Sequence, residues 1–347
     1  MGFERPDAIL EKIDREQSSG NELFDQKIIN QWESVRPSID DFSDLYDEQT
    51  READERTLRE RKREFHARGR DAMRLEYMML DGIYSRNWFG PDTEVTPVSE
   101  YDDLFNGVDI IVRFNQPDGE PLFLGIDVTT GEQFDEKETR ERIQRKVGRI
   151  ADGLEKGWKT GVKYYAGDSE EPRGKIVMPR VVIGTDSENI ERLFQDFVAA
   201  LGSRAGGEAI DAHPLQFGMM HQIEKQLAVY TERALRAYLH FRTRTITQHP
   251  ELRGIEPLLH SLNAIPLSQE LLSTEWAKLV ETLDDLRPVM TEGGDDLGKT
   301  VFQHIDAIQE LQRIEKEKHP QNVKALGARE GTEDLLENGT KELLLAA

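Results

Sequence analysis

The sequence predicts an α/β protein, in which an α+β core with a mixed sheet lies between extensive helical regions. Short runs rich in Val, Ile, Tyr and Phe, typical of buried strands, occur between about residues 95 and 186. Helical periodicity dominates before and after this segment. A charged fraction of 32% beside 37% apolar residues fits long helices with solvated faces.

The N-terminal part is predicted to be a helical arm over residues 1–64. A short helical fragment covers 22–35, and one long or broken helix covers 48–84. The first half of that helix is nearly all charged, which predicts a solvated or coiled arm. Its second half, AMRLEYMMLDGIY, is apolar enough to pack on a core.

The strands and the helices between them are assigned to a core domain over residues 65–201. A run Val-Val-Ile between a Pro and a Gly is typical of a buried strand. In chain order the predicted elements are a short strand near 93–98, strands at 108–114 and 122–130, a helix at 136–155, strands at 162–166 and 176–186, and a helix at 187–201.

A Gly-rich break over 201–211 separates this core from a helical C-terminal region, predicted over 212–316. The tail, 317–347, is polar and is predicted to be frayed, although its last residues, KELLLAA, could form a small docking helix.

Composition excludes several classes of protein. The formal net charge of −22 gives no global attraction for DNA or anionic membranes, so nucleic-acid contact requires a local basic patch. The absence of cysteine excludes disulfides and thiolate sites. No stretch approaches the ~18 apolar residues of a membrane span, and the charged N-terminus lacks an apolar signal segment. We therefore expect a cytoplasmic protein with no membrane partner.

Two acidic residues interrupt otherwise apolar predicted strands. Asp109 lies in VDIIVRF and Asp127 in LFLGIDVTT, and Asp118 is at the centre of the Pro-Asp-Gly turn between them. A regular hairpin about Asp118 makes Asp109 and Asp127 cross-strand neighbours, about 5 Å apart. Like charges there require a cation or a shared proton, and a divalent metal is the leading interpretation. The alternatives are a bulge beside the Gly, which would shift the register, or an Asp that faces solvent.

Glu76 is a third acidic candidate. On a helix its neighbours three and four residues away are Ala72, Met73, Met79 and Leu80, all apolar. An unpaired carboxylate within such a stripe is costly, so Glu76 fits a third metal ligand or a base. The alternative is a Glu at the edge of the stripe that bonds to a nearby Arg.

These residues and the order helix, strand, two-stranded hairpin, helix, strand resemble the PD-(D/E)xK nuclease superfamily over roughly residues 65–200. Gly-Val-Asp (107–109) is similar to the first acidic motif, and Ile-Asp-Val-Thr (126–129) to the strand that carries acid-x-Lys. The resemblance implies a restriction-endonuclease-like core whose two acids and helical Glu bind a metal ion. Thr129 stands where the family has its Lys, which puts hydrolytic activity in doubt.

The missing Lys could come from the following helix, as in members where it is displaced. Lys146 borders the core side of that helix, and its long stem could bring the ammonium to the acidic cluster. Lys137, near the helix start, is the second candidate. The alternative is that each is an ordinary surface Lys. The core side is predicted to comprise Ile143, Val147, Ile150 and Leu154.

Other charged residues have more than one interpretation. Arg142, Arg145 and Arg149 recur at helical spacing and could hold phosphates or form a solvated face. Asp102 and Asp103 could supply an outer-shell carboxylate, one could replace Asp109, or they could serve in a turn or a cap.

The predicted function is a Mg²⁺-dependent (or Mn²⁺-dependent) nuclease that acts on DNA or RNA, with Glu76, Asp109 and Asp127 as ligands. The alternative is a non-catalytic interaction protein that keeps the core as a scaffold. A third possibility is a helical assembly protein, which binds a second copy or another protein through its helical regions. The sequence carries no HExxH, P-loop or GxSxG motif.

Overall fold

The structure, a computed structural model, describes residues 34–64, 70–116, 119–130, 136–167, 173–201, 210–211, 213, 215–255, 257 and 274–318. The predicted turn centre Asp118 and the tail from residue 319 lie outside these residues. So do most of the predicted helical fragment 22–35 and the Gly-rich break over 202–209. None of the helices in the described residues combines the length and apolar character of a membrane span.

The chain forms two compact units, each made of two segments. Unit 1 comprises Met1–Arg142 and Thr160–Gln216, and unit 2 comprises Ile143–Lys159 and Phe217–Ala347. Each domain predicted from the sequence is one continuous segment. The structure differs, because it assigns Ile143–Lys159, from within the predicted core domain, to unit 2.

Polar and apolar contacts explain why this segment belongs to unit 2. Glu155 accepts a hydrogen bond from Arg233 at 2.9 Å, and Lys159 forms an ion pair with Asp296. An added Cβ at Gly157 would lie 3.6 Å from the Phe241 ring, so main chain and ring pack closely there. The sequence shows none of these partners, which lie about 80 to 140 residues away along the chain.

The main sheet of unit 1 has four strands in the order β1-β2-β3-β6. The pairs β1–β2 and β2–β3 are antiparallel, and β3–β6 is parallel. A parallel pair needs a long crossover, and here the segment between β3 and β6 includes a helix. The strands are β1 (Thr93–Pro97), β2 (Ile110–Phe114), β3 (Leu122–Thr130) and β6 (Arg180–Thr185).

A second, two-stranded sheet pairs β4 (Gly161–Tyr165) with β5 (Gly174–Val177). The single strand predicted over 176–186 is therefore wrong in one respect, because β5 and β6 belong to different sheets. Pro179 between them has no N–H to donate to a ladder, although its carbonyl accepts from Gly125 at 2.8 Å. The buried layer joining the sheets contains Val98, Val108, Ile111, Val162, Tyr165 and Met178.

Helix is confirmed in the described parts of the predicted segment 48–84, as α1 (Glu48–Glu64) and α2 (Arg70–Tyr84). Residues 65–69, between these parts, lie outside the described residues. The second helix packs on β1 and β3 and on a later helix, as its apolar pattern predicts. The other helices that contribute to unit 1 are α3 (Glu100–Asn106), the first residues of α4 (Glu136–Glu155), and α5 (Ser187–Leu201).

The charged helix α1 contacts the second sheet through hydrogen bonds to Asp54. Asp54 accepts hydrogen bonds from the Tyr164 hydroxyl and the Lys163 ammonium. The same ammonium lies 5.2 Å from the ring centroid of Tyr46, 5.7 Å from that of Tyr101 and 5.4 Å from that of Tyr164. Burial and the neighbouring Asp54 raise the pKa of Tyr164. The arm is thus docked at this point, where the sequence predicted a solvated or coiled helix.

Unit 2 is built from α6 (Leu215–Phe241), α7 (Thr243–Gln248), α8 (Thr274–Met290), α9 (Asp296–Lys318) and the end of α4. On α4 the predicted core residues Ile143, Val147 and Leu154 are buried, but Ala151 is buried where Ile150 was expected. The observed spacings of 4, 4 and 3 residues and the predicted spacings of 4, 3 and 4 fit the 3.6-residue helical period equally well, so the period alone does not distinguish Ala151 from Ile150.

One oxygen of a buried carboxyl group in unit 2 has no hydrogen-bond partner among the described residues. This oxygen is Oε1 of Glu224 on α6. Burial, together with the nearby charge of Glu315, raises the pKa of Glu224 to about 8, against the smaller opposing effects of Lys225 and Lys316. Protonation of Glu224 in the folded state therefore removes most of the cost of its burial.

We expect the Glu224→Gln variant to lose part of the pH dependence of stability. Because the folded pKa of Glu224 lies above the unfolded value, its contribution is fully present below about pH 4.5 and is lost as pH rises towards 8. The variant should match the parent in Tm at pH 4.5 and exceed it at pH 8.5. Thermal unfolding at both pH values measures this. Glu281→Gln, at an exposed position of α8, is the control, and an equal change in both variants would contradict the expectation.

Candidate functional site

The register of the β2–β3 ribbon is the one that the turn symmetry predicts. Ile110 pairs with Ile126, and Phe114 pairs with Leu122. At the end of the ribbon away from the turn, the residues next to the Ile110–Ile126 pair are Asp109 on one side and Asp127 on the other. Both are buried, with exposed fractions of 5% and 4%. The two aspartates therefore both lie at the end of the ribbon, immediately beyond its last regular pair.

The ribbon is irregular at Asp109. Its N–H donates to the carbonyl of Ile126 at 2.8 Å, although Ile110 is the residue paired with Ile126. Two successive residues thus face one, as in a β-bulge. The Asp109 carboxylate accepts a hydrogen bond from the N–H of Val128 at 2.7 Å. This side chain therefore connects the two strands where regular pairing ends.

Asp127 has a cationic partner that sequence analysis did not find. Its Oδ2 lies 3.3 Å from Nη2 of Arg180, the first residue of β6. Nη1 of the same guanidinium donates to the carbonyl of Asn106, at the end of α3. Arg180 supplies one of the positive charges that two buried aspartates require. Only the parallel pairing of β3 with β6 brings it here, and the spacing of residues in the sequence does not predict that pairing.

A glycine allows the guanidinium to approach the main chain. Gly107 ends α3 in the left-handed conformation, with φ of 62°. A Cβ at this position would lie 2.8 Å from Nη1 of Arg180. Glycine is therefore favoured at position 107 by backbone conformation and by space.

Glu76 is buried on α2, with 2% of its surface exposed, as its apolar neighbours predict. Its predicted role as a metal ligand stays a prediction. In the described parts of the chain, no group of three or more His, Asp or Glu side chains is arranged to hold a metal ion. A site built from these residues would therefore depend mainly on Asp109 and Asp127.

The two candidate lysines lie on α4. Lys137 is exposed near its start, in unit 1, whereas Lys146 is half-buried and belongs to the segment of unit 2. Their catalytic roles stay predictions. Thr129, at the position of the motif Lys, is buried on β3.

Of the three arginines at helical spacing, Arg142 contacts the end of β3. It donates to the carbonyl of Thr130 at 3.3 Å and to Glu138 at 2.9 Å. Arg145 and Arg149 are exposed. Arg142 thus joins the helix start to the strand that carries Asp127.

Asp102 and Asp103 serve structural purposes, in agreement with the capping interpretation. Asp102 is fully buried and accepts hydrogen bonds from Ser99, the N-cap of α3, and from Asn106. It also accepts from the main-chain N–H groups of Lys163 and Tyr164 on β4. Asp103 instead forms an ion pair with Arg36 at 2.8 Å.

The site is thus a mostly buried acidic centre at one end of a β-ribbon, with a guanidinium beside one of its carboxylates. Hard carboxylate oxygens at this position could bind a divalent cation and, through it, a phosphate group. The same carboxylates could also serve only to join strands, through Val128 and Arg180.

No family model matches the chain, and neither a search of curated proteins nor a search of solved structures finds a significant match.

Proposed function

We propose that the chain is a metal-dependent phosphodiester hydrolase with a restriction-endonuclease-like core, acting on DNA or RNA. The observation that carries the proposal is that Asp109 and Asp127 both lie at the end of the ribbon and are both buried. The order helix, strand, two-stranded hairpin, helix, strand and the sheet order β1-β2-β3-β6 support it.

The acidic residues fit a Mg²⁺ or Mn²⁺ ion by their chemistry. Mg²⁺ is usually held by one or two carboxylates together with waters and a substrate phosphate. Asp109 and Asp127 would supply the carboxylates, and Glu76 is the third candidate ligand.

The bound ion would supply Lewis acidity toward a phosphate and lower the pKa of a water. The residues of the chain would have three tasks. Asp109 and Asp127 would hold the ion and so determine where the phosphate binds. Lys146, or Lys137 as the second choice, would neutralise charge that develops on the phosphate. The helical regions would select the nucleic acid or a protein partner, which includes a second copy of the chain.

We expect Asp109→Ala and Asp127→Ala each to abolish Mg²⁺-dependent cleavage, because each removes one of the two proposed carboxylate ligands. Cleavage of labelled single- and double-stranded DNA and RNA, with and without EDTA, measures this. Asp92→Ala, an exposed aspartate of unit 1, is the control and should leave cleavage unchanged. Cleavage by both site variants at the rate of the parent would refute the proposal.

The second candidate function is a non-catalytic interaction protein that keeps this core as a scaffold. The observation that favours it is that both carboxylates already have structural partners, Val128 N–H for Asp109 and Arg180 for Asp127. The presence of Thr129 at the position of the motif Lys also favours a non-catalytic function.

Titration with Mg²⁺ or Mn²⁺, followed by thermal unfolding, separates the two functions. A ligand present at 100 times its Kd, and bound only to the folded state, stabilises that state by about 2.7 kcal/mol. A Tm increase that disappears in Asp127→Ala favours the hydrolase. An unchanged Tm at millimolar metal favours the scaffold.

A further inference from the structure

We infer that Arg180 is a positioning residue of the acidic centre, which holds Asp127 in the orientation needed to bind a cation. The inference rests on the proposed function. It assigns a role to a residue that lies 53 positions from Asp127 in the sequence.

The parallel pairing of β3 and β6 places Arg180 on the side of the sheet that carries Asp127. Arg180 pairs with Gly125, and Asp127 pairs with Val182. Paired residues face the same side, and residues two apart on one strand also share a side. The Arg180 and Asp127 side chains therefore leave the sheet on one face, as their 3.3 Å contact requires.

The guanidinium joins the two segments that carry the aspartates. Nη2 contacts Asp127 on β3, while Nη1 binds the carbonyl of Asn106, three residues before Asp109. Gly107, between Asn106 and Asp109, leaves the space that Nη1 occupies. A planar group with several fixed donors can hold both segments at once, which a point charge such as a Lys ammonium cannot do equally well.

The guanidinium keeps these two contacts although one of its donors is unsatisfied. Nε of Arg180 is buried and has no hydrogen-bond partner among the described residues. Its side chain is 18% exposed and that of Asp127 is 5% exposed, so solvent screens their interaction only partly.

Two effects of Arg180 on a bound cation oppose each other. Its positive charge repels the cation, whereas its hydrogen bond fixes a carboxylate ligand. Partners that orient a metal-binding carboxylate typically contribute 10–100-fold to metal affinity. We assign the larger effect to orientation, because the guanidinium fixes both aspartate-bearing segments.

The test is Mn²⁺ binding by the full-length chain, measured by calorimetry and by the metal-dependent increase in Tm. Arg180→Met should weaken Mn²⁺ binding about 10–100-fold, and Arg180→Lys should give an intermediate loss. Arg113→Met is the matched control. Arg113 is on β2, its side chain is 17% exposed, and it is paired with Glu94 at 2.9 Å. It should retain the affinity of the parent.

A second variant displaces the guanidinium without removing it. Gly107→Ala places a Cβ 2.8 Å from Nη1 and should also weaken Mn²⁺ binding. Gly294→Ala is the control, because Gly294 has a similar positive φ of 79° and its added Cβ would lie 3.9 Å from the nearest atom, Nζ of Lys299. Both variants bear the same kind of backbone strain, so a difference in affinity between them measures the contact with Arg180. This comparison stands even if Arg180→Met fails to fold.

The outcomes distinguish this inference from the proposed function. If the parent binds no Mn²⁺, or if Asp127→Ala binds it as well as the parent, the proposed function fails and the inference fails with it. If binding depends on Asp127 but Arg180→Met and Gly107→Ala bind as tightly as the parent or more tightly, Arg180 only competes with the cation. That result would overturn the inference and leave the hydrolase proposal standing.

Discussion

Replacing Asp102 with alanine should destabilise unit 1 by about 3–5 kcal/mol, which is a large part of the stability of an ordinary domain. The fully buried carboxylate of Asp102 accepts hydrogen bonds from Ser99 and Asn106 and from the main chain of Lys163 and Tyr164. Its removal leaves several buried donors without an acceptor, and each such donor costs about 1–3 kcal/mol.

The loss should appear in urea unfolding followed by the fluorescence of Trp88, which is buried in unit 1. Glu100→Ala is the control on the same helix. Glu100 is 43% exposed and pairs with Lys62 at the surface, so its removal should cost less than about 1 kcal/mol. Equal effects of the two substitutions would show that Asp102 does not hold α3 to β4.

The second large effect is expected for Gly298→Ala in unit 2. Gly298 lies in the first turn of α9, where an added Cβ would overlap the main-chain carbonyl of Met290, the last residue of α8. Main-chain atoms cannot move aside by a rotamer change, so the ends of the helices must separate. Overpacking typically costs about 1–3 kcal/mol, and we expect a loss at the upper end of that range.

Gly148→Ala is the matched control for that substitution. Gly148 is on α4, also in unit 2, and no atom lies within 4 Å of its added Cβ. Alanine in the middle of a helix is favoured over glycine by roughly 0.5–1 kcal/mol, so this variant should be more stable than the parent. Urea unfolding followed by helical circular dichroism compares the two. A loss of stability in both variants, or in neither, would contradict the packing argument.

The parts of the fold that the sequence predicted depend on local patterns. The apolar runs and the Pro-Asp-Gly turn gave β2, β3 and their register, because a hairpin relates residues that are close in the chain. The burial of Glu76 followed from its apolar neighbours one turn away on the helix.

The parts that the sequence did not predict depend on distant pairings. Arg180 reaches Asp127 only because β6 adds to the sheet in parallel beside β3. Asp54 fixes α1 through Lys163 and Tyr164, more than 100 residues away. No periodic pattern in the sequence marks Lys163 or Tyr164 as a partner of Asp54. The charged residues of α1 therefore predicted a solvated or coiled arm. The separation of β5 from β6 occurs at Pro179, a residue that has no N–H to donate to a sheet ladder.

The division of the chain has a practical consequence for dissecting the protein. The polypeptide passes between the two units three times, after Arg142, Lys159 and Gln216. A truncation after Gln216 would keep Ile143–Lys159 but remove the partners of that segment in unit 2, which include Arg233 and Asp296. If such a fragment lost binding or cleavage, damaged packing would explain the loss as well as the absence of a functional residue would. Point substitutions are therefore the better way to assign roles to residues.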